Sequence, residues 1–243
     1  SFTNPPSNWG SQTQTFLEEE IADRHAHRAA GHVVSGGVIA TSVNLADIVT
    51  ALTAYAANGH YISQAATAHT YTASRRTFVY ASPTDSDPAT VTGGSGCTFL
   101  SRSTRLLFVE CATGSGDPDK PLTTIPLWAV DTDVDNITAV VDLRPRAYTG
   151  EGRGIDEFQS LASAFTALGS TDLATLVINR RVLPSAAATQ TSNITLKFVA
   201  GGSIEPVSGV TISYQRFEGG MYRIFAGAGV HTFNWLPSTL YPE

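Results

Sequence analysis

The sequence predicts a mainly β protein, because it combines a run of short apolar strands, few charged residues and frequent turn residues. Within residues 171–243 the segments ATLVI, NITLKF, VTISY, YRIF and HTFNW follow one another, separated by breaks rich in Gly, Ser or Pro. Charged residues make up 15% of the chain, which suits an extended β protein better than a charged helical enzyme. Stacked strands bury their core only between neighbours, so we expect further strands or partner chains to cover this stack.

The first 32 residues are predicted to form an arm and a helix. Pro5 and Pro6 favour an extended arm. The large indole of Trp9 on this polar arm suggests that the arm docks onto another subunit, which would bury the ring. The alternative is a disordered terminus on which the aromatic residue has no role. Residues 15–30 predict a helix that begins with a capping box of Thr15 and Glu18. Its apolar stripe is thin, which favours packing against a symmetry-related copy.

Residues 33–145 are predicted to form a β-rich domain, like a sandwich or a barrel. Asn58-Gly59 lies between TAYAA and HYISQ and is a strong hairpin signal. One stretch is ambiguous, because its apolar residues also match helical spacing. We favour strands after about Thr50. The residues at helical spacing are Leu45, Ile48, Val49, Leu52 and Tyr55.

Cys97 and Cys111 flank the segment CTFLSRSTRLLFVEC, which predicts a hairpin about Thr104. Such a hairpin places the two sulfurs opposite each other, so a disulfide is geometrically possible. Reduced cytoplasmic synthesis favours two free thiols instead. The sequence therefore predicts that both cysteines are free.

Residues 146–155, which follow Arg144-Pro145, are predicted to be a linker, and residues 156–243 a second domain. That domain opens with a helix over residues 156–168, capped by Asp156 with Gln159 and ended by Gly169. We expect its apolar face to cover the open first layer of the strand stack. The residues of that face are Phe158, Leu161, Ala162, Phe165 and Leu168.

Composition excludes several classes of function. The formal net charge is −6, and the only lysines are Lys120 and Lys197. A nucleic-acid partner is therefore not expected, because such binding depends on cations that neutralise phosphates. No apolar run approaches the roughly 20 residues that span a bilayer, and the N-terminus lacks the pattern of a secretory signal. We expect a soluble protein that does not insert into membranes and is made in the cytoplasm.

The acidic segment DTDVDN resembles a calcium loop in its alternate carboxylates, but an acidic β-turn explains the same residues. Its candidate ligands are Asp131, Asp133 and Asp135, with Asp142 further on.

The other candidate site residues form no recognisable site. Three histidines lack partners at ligand spacing, namely His25, His27 and His32. The acids of the strand stack form no pair suited to glycoside hydrolysis; these are Asp172, Glu205, Glu218 and Glu243. Four aromatics could stack on sugars, but packing in a core or subunit interface is favoured; these are Tyr214, Tyr222, Trp235 and Tyr241. The sequence thus predicts no catalytic, cofactor-binding or metal-binding residue, and no cofactor.

Two segments resemble parts of phage spikes. Residues 33–145, with SGGVIAT, TAYAANGHYISQAATAHTYTAS, IPLWAV and ITAVVDLRP, resemble the small β-domain near the N-terminus of phage tail fibre and tailspike proteins. Residues 156–243, with EFQSLASAFTALGS, NITLKFVAGGSI and RIFAGAGVHTF, are similar to the entry into a pectate-lyase-like right-handed β-helix.

The resemblance implies a structural virion protein: the N-terminal portion of a tail fibre or tailspike, assembled in the host cytoplasm as a homotrimer. Residues 1–32 would anchor it to tail, baseplate or adaptor proteins, and the downstream region would face host polysaccharide. The alternatives are a fragment of a polysaccharide lyase or hydrolase and a non-catalytic carbohydrate-binding module. In spikes the sugar-cleaving carboxylates lie further along the β-helix, so the resemblance assigns no catalytic residue here, and we expect no enzyme activity from this chain.

Overall fold

The computed structural model describes residues 31–56, 59–84, 97–103, 105–120, 123–145, 152–169, 172–220 and 223–234. Over these residues the protein is mainly β, as the sequence predicts, with one α-helix. The predicted arm, Trp9 and the predicted helix over residues 15–30 lie outside the described residues.

The strands between His32 and Asp142 pair antiparallel and form three sheets, which we call the antiparallel unit. One sheet has the order β1-β4-β5, the second β2-β3-β6 and the third β11-β10-β7-β9-β8. The strands are β1 His32–Gly36, β2 Ile39–Val43, β3 Ala46–Val49, β4 Leu52–Tyr55, β5 Tyr61–Gln64, β6 Thr67–Thr70, β7 Arg75–Ala81, β8 Thr98–Ser103, β9 Leu106–Ala112, β10 Ile125–Thr132 and β11 Ile137–Asp142.

The three central strands of the five-stranded sheet, β10, β7 and β9, are buried on both faces, which explains their nearly continuous apolar segments. Side chains of a strand alternate between faces, so Leu106 and Phe108 of β9 pack in one core with Val49 of β3. Leu107 and Val109 of the same strand pack in a second core on the other face. Among the described strands this sheet does not close into a barrel, because β8 and β11 form its two edges.

The ambiguous stretch around Thr50 is extended, so its helical interpretation is wrong. Strands β3 and β4 flank Thr50 and pair with β6 and β5, respectively. Val49 and Leu52 are both buried, and apolar burial from two strands produces the same spacing as one face of a helix. The hairpin that joins β4 to β5 is confirmed. Gly59 adopts a positive φ of 80° there, while Asn58 lies outside the described residues.

The prediction of two free thiols is wrong, because Cys97 and Cys111 form a disulfide. The predicted hairpin exists, and Thr98 of β8 pairs with Glu110 of β9. The two cysteines therefore face each other across the strands, with their Cα atoms 4.0 Å apart. The strand register thus brings the two sulfurs within bonding distance.

Reduction of this disulfide should lower the free energy of unfolding by about 3 kcal/mol, the amount expected for a loop of this length. The measurement is urea unfolding with and without a phosphine reductant. The variant Cys97→Ala is the control, since reductant should not destabilise it further. Identical unfolding curves for the oxidised and reduced wild-type protein would contradict the prediction.

The second half of the described chain is a parallel stack, by which we mean strands β12 to β20, all paired in parallel. Its sheets have the orders β12-β13-β16-β19, β14-β17 and β15-β18-β20. The elements are β12 Arg153–Gly154, a 3-10 turn Ile155–Glu157, α1 Leu161–Leu168, β13 Ala174–Ile178, β14 Arg181–Val182, β15 Ala188–Thr189, β16 Ile194–Phe198, β17 Ser203–Ile204, β18 Thr211–Tyr214, β19 Phe217–Glu218 and β20 Val230–Phe233.

The chain visits the three sheets of the parallel stack in the same order on each pass. Leu176 of β13 pairs with Leu196 of β16, which pairs with Phe217 of β19. Ile204 of β17 is bridged to Phe225 on the last pass. Like residues thus lie above one another, and the apolar ones form a single core inside the stack. Arg153–Gly154, which the sequence places in the linker, already belongs to this stack as strand β12.

The helix begins later than the sequence predicts. Residues 155–157 form a 3-10 turn, and α1 starts at Leu161 with Ser160 as its N-cap, where the Ser160 Oγ accepts a hydrogen bond from the Ser163 N–H. The predicted cap, Asp156, instead accepts a hydrogen bond from Arg180 and is not available. The end at Gly169 is confirmed, with φ 68°. The predicted apolar face packs against the core of the stack.

Candidate functional site at the junction of the two units

The antiparallel unit and the parallel stack meet along a short backbone contact. Asp117, in the loop after β9, forms a parallel bridge with Pro184, which follows β14. Leu183 inserts into the second core of the antiparallel unit. Gly116 permits this approach, because an added Cβ would lie 2.5 Å from the Leu183 carbonyl oxygen. The two units are therefore in direct contact at the backbone level.

A buried ion pair crosses this contact, and we call Asp117, Lys120, Asp156 and Arg180 the junction cluster. Arg180 follows strand β13, and its Nε donates to Asp156 Oδ1 at 2.7 Å. Its Nη1 donates to Asp117 Oδ2 at 3.1 Å and to the Arg181 carbonyl oxygen at 2.7 Å. Arg180 is 5% exposed. One guanidinium thus holds a carboxylate from each unit.

Asp117 is fixed by more than its ion pair. Its Oδ2 also accepts a hydrogen bond from the Leu183 N–H at 3.1 Å. Its carbonyl oxygen accepts one from the Ser185 hydroxyl at 2.8 Å. The loop of the antiparallel unit is therefore tied to β14 and to the segment that follows it.

Lys120 forms the other link across the junction. It is 2% exposed, and its Nζ donates to the carbonyl oxygens of Thr124 and Asp156, at 3.1 and 2.7 Å. In the described part of the chain no carboxylate oxygen forms an ion pair with it. The hydrogen bonds of the ammonium thus go to backbone carbonyl oxygens.

Burial shifts the pKa values of the junction cluster. It raises the pKa of Asp117, although Arg180 and the Leu183 N–H act in the opposite direction. It lowers the pKa of Lys120 to about 8, where Asp156 opposes the shift and Arg180 adds to it. Burial would also lower the pKa of Arg180, but the charges of Asp156 and Asp117 outweigh it and the net shift is upward. The guanidinium stays charged, while Lys120 can lose its proton in mildly alkaline solution.

A cavity of about 300 Å³ lies against the junction cluster. Charged groups, hydroxyls and apolar side chains all line it, so it offers polar contacts within a partly apolar wall. This combination is the usual mark of a small-molecule site. The lining includes Asp117, Asp119, Lys120, Leu161, Ala162 and Arg180.

Comparison with models of protein families, with curated proteins and with solved structures finds no match to this chain. The site is therefore described from its own geometry. The described part of the chain contains no helix long and apolar enough to cross a membrane. It also contains no group of three or more His, Cys, Asp or Glu side chains placed to hold a metal ion.

The aspartates of the calcium-like segment are engaged elsewhere. Asp131 accepts hydrogen bonds from Arg76 at 2.7 and 2.6 Å. Asp133 Oδ1 accepts from the backbone N–H groups of residues 135 and 136, at 2.9 and 2.6 Å. Asp142 pairs with Arg144 at 2.8 Å. The acidic β-turn between β10 and β11 is confirmed.

The other sequence candidates are dispersed. Tyr214 is buried in the core of the parallel stack, as predicted. Glu205 pairs with Arg181 at 2.5 Å, and His32 is a buried residue of β1 that stacks on Tyr55. His25, His27, Tyr222, Trp235, Tyr241 and Glu243 lie outside the described residues.

Sequence reasoning missed the junction cluster. Asp117 and Lys120 belong to the segment TGSGDPDKP, whose Gly, Pro and Asp residues indicate only a loop rich in turns. One signal was present: Lys120 is one of only two lysines, in a loop rich in Gly and Pro. Arg180, the ion-pair partner of Asp117, is 63 positions further along the chain, and no local pattern joins the two.

Proposed function

We propose that this chain is a structural protein of a phage virion, the N-terminal portion of a tail fibre or tailspike. In this proposal the antiparallel unit is a connector and the parallel stack is the start of a right-handed β-helix. The observation that carries the proposal is the junction itself. A buried ion pair, a hydrogen bond from the buried Lys120 and a backbone bridge join the two units, which suits a device that must transmit position and force without bending.

The repeated register of the parallel stack supports the β-helix part of the proposal. Three successive strands of one sheet lie in parallel with apolar residues above one another. A coil built in this way grows by adding further turns, each of which contacts only its neighbours. Such growth suits a shaft.

The last described strands of the parallel stack, β19 and β20, favour an assembly that extends beyond the described residues. Val230 and Phe233 of β20 are 54% and 38% exposed, although Phe233 stacks with Tyr214 in the aromatic cluster of the core. Among the described strands none pairs with the outer edge of β19 or β20. Open edges of this kind invite pairing, so we propose that further strands or partner subunits cover them.

The partners follow from this arrangement. We propose a homotrimer. In a closed cyclic ring each subunit covers the same surface of its neighbour, so the exposed edge of every subunit is buried. Residues 1–32 would dock on other tail, baseplate or adaptor proteins. The downstream end would face the host surface and its polysaccharides. We propose no enzymatic activity for the chain itself.

Light scattering coupled to size-exclusion chromatography tests the assembly. At micromolar concentration the expected mass is three times the chain mass of 25.7 kDa, because the exposed apolar edge is then covered. A stable monomer would count against the proposal. Mass spectrometry of purified phage particles provides the second test, and absence of the chain from the particles would refute its virion role.

A further inference from the structure

The junction cavity contains hydrogen-bond donors that the protein does not use. An ammonium has three N–H donors, and Lys120 uses two of them on carbonyl oxygens. No acceptor for the third lies in the described part of the chain. Lys120 is almost fully buried and lines the cavity, so this third donor is available to a group bound there.

Arg180 has unused donors as well. A guanidinium has five N–H donors in a fixed fork. Its Nε and Nη1 make the three hydrogen bonds described above, whereas its Nη2 finds no acceptor among the described residues. The side chain is more than nine-tenths buried and lines the cavity, so a donor group without a partner is presented to this space.

The start of α1 lies on the same cavity. The first N–H groups of a helix have no partner within the helix, and the aligned peptide dipoles place partial positive charge there. Ser160 accepts a hydrogen bond from the Ser163 N–H. Leu161 and Ala162 also line the cavity, and in the described chain no acceptor binds their N–H groups.

We propose that the junction cavity binds the oxyanion group, a carboxylate, phosphate or sulfate, of one small molecule. The donors come from Lys120, from Nη2 of Arg180 and from the start of α1, and an oxyanion is the acceptor that such donors favour. Since Lys120 belongs to the antiparallel unit and the other donors to the parallel stack, the bound group links the two units.

Each carboxylate of the junction cluster has one oxygen bound to Arg180, namely Asp156 Oδ1 and Asp117 Oδ2. The second oxygens, Asp156 Oδ2 and Asp117 Oδ1, are buried and have no hydrogen-bond partner among the described residues. Asp156 also accepts a hydrogen bond from Lys120 through its main-chain carbonyl oxygen. Asp119 is the remaining acid on the lining and is half-exposed. The volume of about 300 Å³ is at the small end of ligand pockets, which limits the occupant to one small molecule.

Isothermal titration calorimetry at constant ionic strength tests the proposal. The probes are sodium phosphate, sodium sulfate, sodium acetate and sodium glucuronate, with sodium chloride and glucose as controls. The strongest of the first four identifies the oxyanion and shows whether a sugar ring adds affinity. Saturable binding of at least one of them, without binding of glucose, is expected. Equal responses to all four oxyanions and to chloride would overturn the proposal.

Lys120→Met removes the ammonium but keeps the side-chain length, and it should weaken oxyanion binding about tenfold or more, as expected when a charged hydrogen bond is lost. The matched control is Lys197→Met, which changes the other lysine, on β16, outside the cavity lining. This control should bind like the wild-type protein. Equal weakening in both variants would overturn the proposal.

The wild-type protein provides a test that does not depend on the folding of a variant. The pKa of Lys120 is about 8, so oxyanion binding should weaken as the pH rises from 7 to 9. The other charged and titratable groups around the cavity are Asp117, Asp119, Asp156, Arg180 and Tyr80, and burial raises the pKa of Tyr80 further above this range. Binding that is unchanged at pH 9 would overturn the assignment.

Discussion

Replacing Arg180 by methionine should lower the free energy of unfolding by about 3–5 kcal/mol, the cost of breaking a buried ion pair from one side. Methionine occupies a similar volume but leaves the carboxylates of Asp117 and Asp156 buried without their cation. Because charged groups are costly in a poorly hydrated environment, the loss exceeds that of a hydrogen bond alone. Urea unfolding at pH 7, followed by circular dichroism, measures it.

The adjacent arginine provides a matched control. Arg181 pairs with Glu205, but its side chain is 39% exposed. Exposed pairs contribute little, so Arg181→Met should cost at most about 1 kcal/mol. Similar losses in the two variants would show that burial of the junction cluster adds nothing to its contribution.

The pH dependence of the Arg180→Met variant has a definite sign. Burial raises the pKa of Asp117, and without the guanidinium that opposes this effect the pKa lies further above its value in the unfolded chain. The folded state then binds protons more readily than the unfolded state, so the variant gains stability relative to wild type as the pH falls. The difference between the two proteins should therefore be largest at neutral pH and shrink towards about pH 4. A difference that is constant over this range would argue against uncompensated carboxylates.

Strands and hairpins were predictable where their signals are local. The Asn58-Gly59 pair and the spacing of the two cysteines each depend on residues close in sequence. The apolar segments of β7, β9 and β10 indicated buried strands for the same reason. The disulfide was missed because the prediction gave the assumed compartment more weight than the register of the hairpin, which places Cys97 opposite Cys111.

The candidate site was not predictable, because its parts meet only in the folded chain. Asp117 and Arg180 are separated by 63 positions, and Lys120 and Asp156 by 36. Each residue alone resembles an ordinary polar residue of a loop. The error at the start of α1 has the same origin, because the ion pair with Arg180 draws Asp156 away from the capping role that its sequence context favours.

The close approach of successive turns in the parallel stack predicts a second large effect, at Gly202. An added Cβ at this position would lie 2.0 Å from the Ile178 carbonyl oxygen and 2.8 Å from the Ile178 carbonyl carbon. Neighbouring backbone cannot yield as a flexible side chain can, so adjacent turns must move apart. We expect Gly202→Ala to lower the free energy of unfolding by about 3 kcal/mol or more, measured by urea unfolding.

Gly209→Ala separates this steric effect from the conformational cost of losing a glycine. Gly209 has φ 82°, but an added Cβ there meets nothing within 4 Å. Its substitution should therefore cost only the strain of a left-handed residue, about 1–2 kcal/mol. Gly202 has no such φ, so any excess loss at Gly202 reports the contact between turns. If Gly202→Ala costs no more than Gly209→Ala, the turns are not packed as closely as the stack requires, and the β-helix proposal loses its main geometric support.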